Sequence, residues 1–154
     1  MIAGFVAGGI VRGVLVGALV LAVSLFFTGL SLSVASAGVI LGFALLTSMI
    51  FALAGLVNGI YATTFDGINI VPTFVITPLV YFGGVFYSIQ TLPPLVQTLS
   101  HLNPVFYLIN GFRYGFLGIS DVPLATAALV LIALIAILIG INWYLLRTGL
   151  GLKQ

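Results

Sequence analysis

The chain has 154 residues, of which 62% are hydrophobic and 4% charged, with a formal net charge of +2 and a mean hydropathy of +1.40. A soluble domain usually carries about 25% charged residues, and a nucleic-acid surface needs a dense field of cations, so both classes are excluded and the solvent is lipid. The absence of cysteine excludes disulfides and thiolate metal sites.

A membrane span takes ~20 mostly apolar residues. The length therefore holds four spans in a single transmembrane domain, residues 1–154, with no room for a separate soluble domain. The first span falls within Ile2–Phe27. Arg12 stands about a third of the way along it, where a charge costs about 2.5–3.5 kcal/mol near a helix centre. It is expected either towards one interface or facing protein. Gly4, Gly8, Gly9, Gly13 and Gly17 give overlapping four-residue spacings, which let another backbone approach closely, as a fixed packing face or as a moving contact. The run is too long, with its charge inside it, for a cleavable signal peptide.

Thr28-Gly29-Leu30-Ser31 reads as a short polar turn, and a second span follows over about 34–57. The segment Asn58–Gly67 closes it with groups that satisfy the backbone at an interface. The third span, about 68–87, contains Pro72 and Pro78 and then Gly83-Gly84. Each proline removes a backbone donor, so a bent or broken helix is expected. Asp66, just before this span, can cap it by accepting from its free N–H groups; a substrate or ion site is the competing reading. Tyr81, Phe82, Phe86 and Tyr87 form either a path for an amphipathic solute or an interfacial belt.

Residues 88–122 are too polar to span and too apolar for an ordinary loop. Pro93-Pro94 suits the first turn of a short helix over Leu95–His101. Asn103-Pro104 starts a second, with Asn103 as its cap, which runs to about Leu117 and stops at Gly118. On that second helix Val105, Ile109, Phe112 and Phe116 form an apolar face. The pattern fits an element lying in the interface or re-entering the membrane. The last span, about 123–146, is followed by Arg147 and Lys153, with Asn142-Trp143-Tyr144 as an interfacial anchor. Cations near a span end favour the cytoplasm. Four spans then place both termini inside and 88–122 outside.

Nothing supports an enzyme. The only acids are Asp66 and Asp121, on opposite sides of the membrane in this arrangement, so paired-carboxylate chemistry is excluded. His101 lacks the companions a zinc site needs and reads as an interfacial polar side chain. The only lysine is Lys153, so no phosphate-binding loop can form. Arg113 is either a fork for a phosphate or an interfacial anchor and partner for Asp121.

The succession Phe65-Asp66, Thr77-Pro78, Gly83-Gly84-Val85-Phe86, Leu92-Pro93-Pro94, Leu102-Asn103-Pro104 and Phe112-Arg113 resembles the C-terminal part of the membrane-spanning permease of type-2 ABC exporters, with the closest look to nodulation-factor or drug-export members. The resemblance implies an all-α membrane protein: four transmembrane helices with short re-entrant or interfacial helices between the third and fourth. It implies the last four of six spans, with the first two and a coupling helix expected before Met1, so that the chain is a fragment, a truncated product or half of a split permease. It also implies a bacterial inner-membrane location, an ABC ATPase subunit as partner, a second permease copy and no cofactor in this chain, ATP being bound by the partner. The implied function is ATP-driven export of an amphipathic, lipid-linked or drug-like solute. Candidate transport and gating residues are Arg12, Asp66, Pro78, Gly83, Gly84, Asn103, Pro104 and Arg113. The alternatives are a self-assembling small channel, which needs a polar stripe along a span, and a non-transporting membrane subunit.

Overall fold

The computed structural model describes residues 2–28, 33–62, 65–85, 91 and 93–149. Among them the order is α1 (Ile2–Thr28), α2 (Val34–Tyr61), α3 (Phe65–Ile70), a π-helical segment (Val71–Ile76), α4 (Thr77–Phe82), α5 (Pro94–His101), α6 (Pro104–Leu117) and α7 (Leu124–Thr148). Three helices are long and apolar enough to cross a membrane: Ala3–Phe27, Val34–Tyr61 and Leu124–Thr148. The third expected span is a shorter apolar helical stretch, Gly67–Phe82. The Thr28–Ser31 turn, Phe86, Tyr87, Leu92, Lys153 and the Asp66 side chain lie wholly or partly outside the described residues.

Hydrophobicity alone does not orient these helices, because core-facing and lipid-facing positions are both apolar. Close approach does. A Cβ on Gly9 would stand 2.6 Å from the Cβ of Ala52, and one on Gly13 would collide with Ser48. The two contacts run in opposite directions along the chain, so α1 and α2 are antiparallel neighbours. Gly111 and Gly115 do the same for α6, admitting the ring of Phe43 and Cγ1 of Ile40. The core is built from Phe43, Ile50 and Leu53 of α2, Leu108 of α6, and Ala127, Leu131 and Ile135 of α7, with Val6 joining from α1.

Several boundaries differ from the sequence reading for identifiable reasons. Helix α2 continues to Tyr61 because Asn58-Gly59-Ile60 holds no proline to stop it, and Ala62 caps it with its N–H on the Asn58 carbonyl. Helix α6 buries more than the apolar face of Val105, Ile109, Phe112 and Phe116. Its buried residues are Val105, Phe106, Leu108, Asn110, Gly111 and Gly115, whereas Phe112 and Phe116 are half-exposed. The small residues go inward because they let α2 come close.

The break in the third span has a specific form. Pro78 has no N–H for the carbonyl of Phe74, and its ring pushes that carbonyl away. The preceding turn widens into the π-helical segment, in which the Thr77 N–H reaches back to the Pro72 carbonyl. The Thr77 hydroxyl donates to the same oxygen at 3.1 Å.

Candidate functional site

The end of α4 poses a physical problem that the next two helices solve. A helix leaves its last carbonyls without intrahelical donors. Here the Gly83 N–H turns back tightly onto the Val80 carbonyl at 3.1 Å, which leaves the Leu79 carbonyl unclaimed by Gly83. Asn103 fills that place, donating its side-chain amide to Leu79 O at 2.6 Å. The Ser100 hydroxyl donates to the Phe82 carbonyl at 3.3 Å, and Arg113 donates through Nη2 to the Gly84 carbonyl. Ser100 and Asn103 are buried. The α5–α6 pair thus supplies a polar cap, with a cation on the negative end of a helix dipole.

Local sequence explains how each side chain reaches its place. Pro93 precedes α5, whose N–H deficit at Pro94 costs nothing in the first turn. Asn103 has an extended backbone and accepts from the Val105 N–H at 3.0 Å, starting α6 at Pro104. The same side chain therefore caps the start of one helix and the end of another. Gly118, at φ 70°, ends α6, and Gly84, at φ 82°, turns the chain after α4; both conformations favour glycine.

Behind the cap lies an ion pair. Arg113 Nη1 donates to Asp121 Oδ2 at 2.8 Å, with the two side chains 16% and 12% exposed. Asp121 is fixed in turn, its N–H donating to Asn110 Oδ1 at 2.7 Å, while the Asn110 amide donates to the Phe106 carbonyl at 2.9 Å. Of the two readings of Arg113, the geometry places the Asp121 partner beside it. A cavity of about 320 Å³ opens between α4 and α5, lined by Leu79, Phe82, Val96, Leu99, Ser100, Leu102 and Asn103.

The structure therefore gathers Gly83, Gly84, Asn103, Pro104 and Arg113 into one cluster, with Pro78 at the foot of α4. Arg12 belongs elsewhere, on the exposed side of α1 beside a separate groove. His101 is exposed and sets its ring edge-on to Phe106 at 5.2 Å. Sequence reasoning missed Ser100 and Asn110, and it grouped Asn142 with the interfacial aromatics. Trp143 and Tyr144 are indeed exposed, but Asn142 is fully buried and donates to the Leu53 carbonyl of α2 at 3.1 Å. A buried amide within an otherwise apolar span was the available signal.

The chain matches the ABC-2 type transporter membrane family over residues 1–117. It is 54% identical over 155 aligned residues to the "Inner membrane transport permease YadH" of Escherichia coli K12, covering 100% of this chain and 59% of that protein. The same values hold for the permease of that name in Shigella flexneri. "Nodulation protein J" of Neorhizobium galegae is 31% identical over 88 residues, 56% of this chain and 34% of that protein. The chain thus spans 59% of the length of the permeases it matches throughout. No solved structure matches.

Proposed function

The chain belongs to the ABC-2 type transporter membrane family, and on that premise we propose that it forms part of the permease of an ATP-driven exporter. The observation that carries this reading is the 54% identity, across the whole chain, to a protein named as an inner membrane transport permease. The chain is a multi-pass inner-membrane protein, in keeping with that name and with three membrane-length helices. The cargo is an amphipathic, lipid-linked or drug-like solute. Hydrolysis occurs in a separate ABC ATPase subunit, and a second permease copy completes the path.

In this reading α3, the π-helical segment and α4 together make a fourth, broken span, both termini are cytoplasmic, and α5–α6 re-enter from outside. The packing supports that depth: Ile40 and Phe43, which meet α6, stand about 9 and 13 Å along α2 from Val34 at 1.5 Å per residue. The polar cap on α4 is then the outer gate. Its side-chain bonds to Leu79, Phe82 and Gly84 hold the broken span to α5–α6, and their exchange opens the path.

The test uses inverted inner-membrane vesicles from cells producing the protein with its ATPase. ATP-dependent uptake of a labelled amphiphile, absent from vesicles lacking the chain, is the expected result. Uptake that needs no ATP, or an ion conductance from the chain alone, favours the channel reading and overturns this one.

A further inference from the structure

A second feature lies away from the α4–α6 cluster. Helices α1 and α2 touch where Gly9 meets Ala52 and Gly13 meets Ser48, then leave an open groove of about 770 Å³ that reaches Ser24 on α1 and is floored by Phe112 and Phe116 of α6. From Gly9 to Ser24 the groove follows α1 for about 22 Å at 1.5 Å per residue. That is long enough for an acyl chain, since one leaflet of a ~30 Å hydrocarbon core is about 15 Å deep.

The walls refuse a polar occupant. The hydroxyls of Thr47 and Ser48, which line the groove, donate to the carbonyls of Phe43 and Ala44 in their own helix, at 2.6 and 2.8 Å. The one charge on the lining is Arg12, near the closed end. It is exposed and makes no ion pair with any described residue. Its side chain leans towards the start of α1, so its stem lies along apolar surface with the guanidinium on that side. A cation inside a span calls for a partner, and no described residue forms an ion pair with it.

We propose that this groove holds a phospholipid of the bilayer with an anionic headgroup, its phosphate on Arg12 and one acyl chain along α1 and α2 towards Phe112 and Phe116. Elongation suits a chain rather than a compact solute, and the cation at one end, in no ion pair with a described residue, gives the headgroup its sign and its position. The site is independent of export: it asks only that α1 and α2 cross a membrane.

The full chain, purified in detergent, is to be titrated with phosphatidylglycerol and with phosphatidylcholine and the bound lipid counted by native mass spectrometry. Phosphatidylglycerol is expected to bind more tightly. Arg12→Gln should cut its affinity about fivefold, the attraction of one cation for an anionic lipid, and leave phosphatidylcholine unchanged, while Arg12→Lys keeps the preference. Gly17 lines the groove with nothing within 4 Å of an added Cβ, so Gly17→Leu enters the groove from an unhindered Cβ and should weaken both lipids. Since the chain has no cysteine, a photoreactive maleimide on Gly17→Cys reports the occupant in native membranes. A lipid adduct supports the proposal. A polypeptide adduct, an undiminished preference in Arg12→Gln, or displacement of the lipid by inorganic phosphate overturns it.

Discussion

Asn103 donates to the carbonyl of Leu79 at 2.6 Å while accepting from its own helix at Val105, so one amide joins the end of α4 to the start of α6 across 24 residues. Replacing it by alanine removes both bonds. The lost cap costs about 0.5–2 kcal/mol, and the Leu79 carbonyl, left unpaired, about 1–3 kcal/mol more. Asn103→Ala in the complete permease should insert normally yet transport more slowly at equal expression. Asn103→Asp separates the two roles, since a carboxylate still caps α6 but cannot donate to Leu79. Transport by Asn103→Asp should therefore resemble that of alanine, and because its carboxylate would face the Leu79 carbonyl, its thermal stability should also fall below the parent's. Parental transport rates in both variants would show that the tether has no part in gating.

The Arg113–Asp121 pair invites a double-mutant cycle. The two side chains are mostly shielded, so a coupling of about 0.5–3 kcal/mol is expected from Arg113→Gln, Asp121→Asn and the double variant, read as thermal unfolding in detergent. Arg113→Lys should not rescue. A lysine keeps the charge but lacks the planar fork that serves Asp121 and the Gly84 carbonyl together.

Two glycines of α6 should behave unlike a third on α2. Adding a methyl at Gly111 drives it into the Phe43 ring, and at Gly115 to 2.5 Å from Ile40 Cγ1. Overpacking of this kind costs about 1–3 kcal/mol. Gly38 has nothing within 4 Å of an added Cβ, so Gly38→Ala should be neutral or slightly stabilising, given the roughly 1 kcal/mol helix preference for alanine. Parallel thermal unfolding of the three variants decides the matter.

Topology is open to direct labelling. With Arg147 in the last turn of α7, both termini are expected inside and α5 outside. A single cysteine at Thr98, which is exposed on α5, should react with an impermeant thiol reagent in intact cells, and one at Thr64 should not. The opposite pattern reverses the orientation.

What the sequence made legible was chiefly its punctuation. Prolines and caps act locally, so Asn103 as a helix start, Gly118 as a stop and the break at Pro78 could all be read from neighbours in the chain. Direction of burial could not. In water an apolar stripe marks the core, but here lipid and core accept the same side chains, and the apolar face of Val105, Ile109, Phe112 and Phe116 gives no hint that Gly111 and Gly115 are the positions α2 approaches most closely. The polar contacts were harder still. Asn103 with Leu79, Asn110 with Asp121 and Asn142 with Leu53 join residues 24, 11 and 89 apart, and no local preference encodes which carbonyl a distant amide will find.

Asn142 gives the sharpest test of what such a contact contributes. Its amide donates to Leu53 O at 3.1 Å and to Leu138 O at 2.8 Å, but its own oxygen, fully buried, has no partner. Both carbonyls sit within helices, and each has a second lone pair for its helix partner. Removing the amide therefore strands neither of them. An interhelical bond of this kind averages about 0.6 kcal/mol in a membrane protein, whereas a buried acceptor without a donor costs about 1–3 kcal/mol. The second figure exceeds the first, so Asn142→Leu, which keeps the branching and heavy-atom count though with bulkier methyls, should leave stability unchanged or raise it. Asn142→Asp should do the reverse, because a carboxylate there would face the same carbonyl oxygens without a proton to donate, or else remain protonated. Thermal unfolding of the two variants in detergent measures the contrast. A marked loss of stability in Asn142→Leu would mean that the α2–α7 bond is worth several times the usual membrane value, and that the unpaired oxygen is tolerated because the bond requires it.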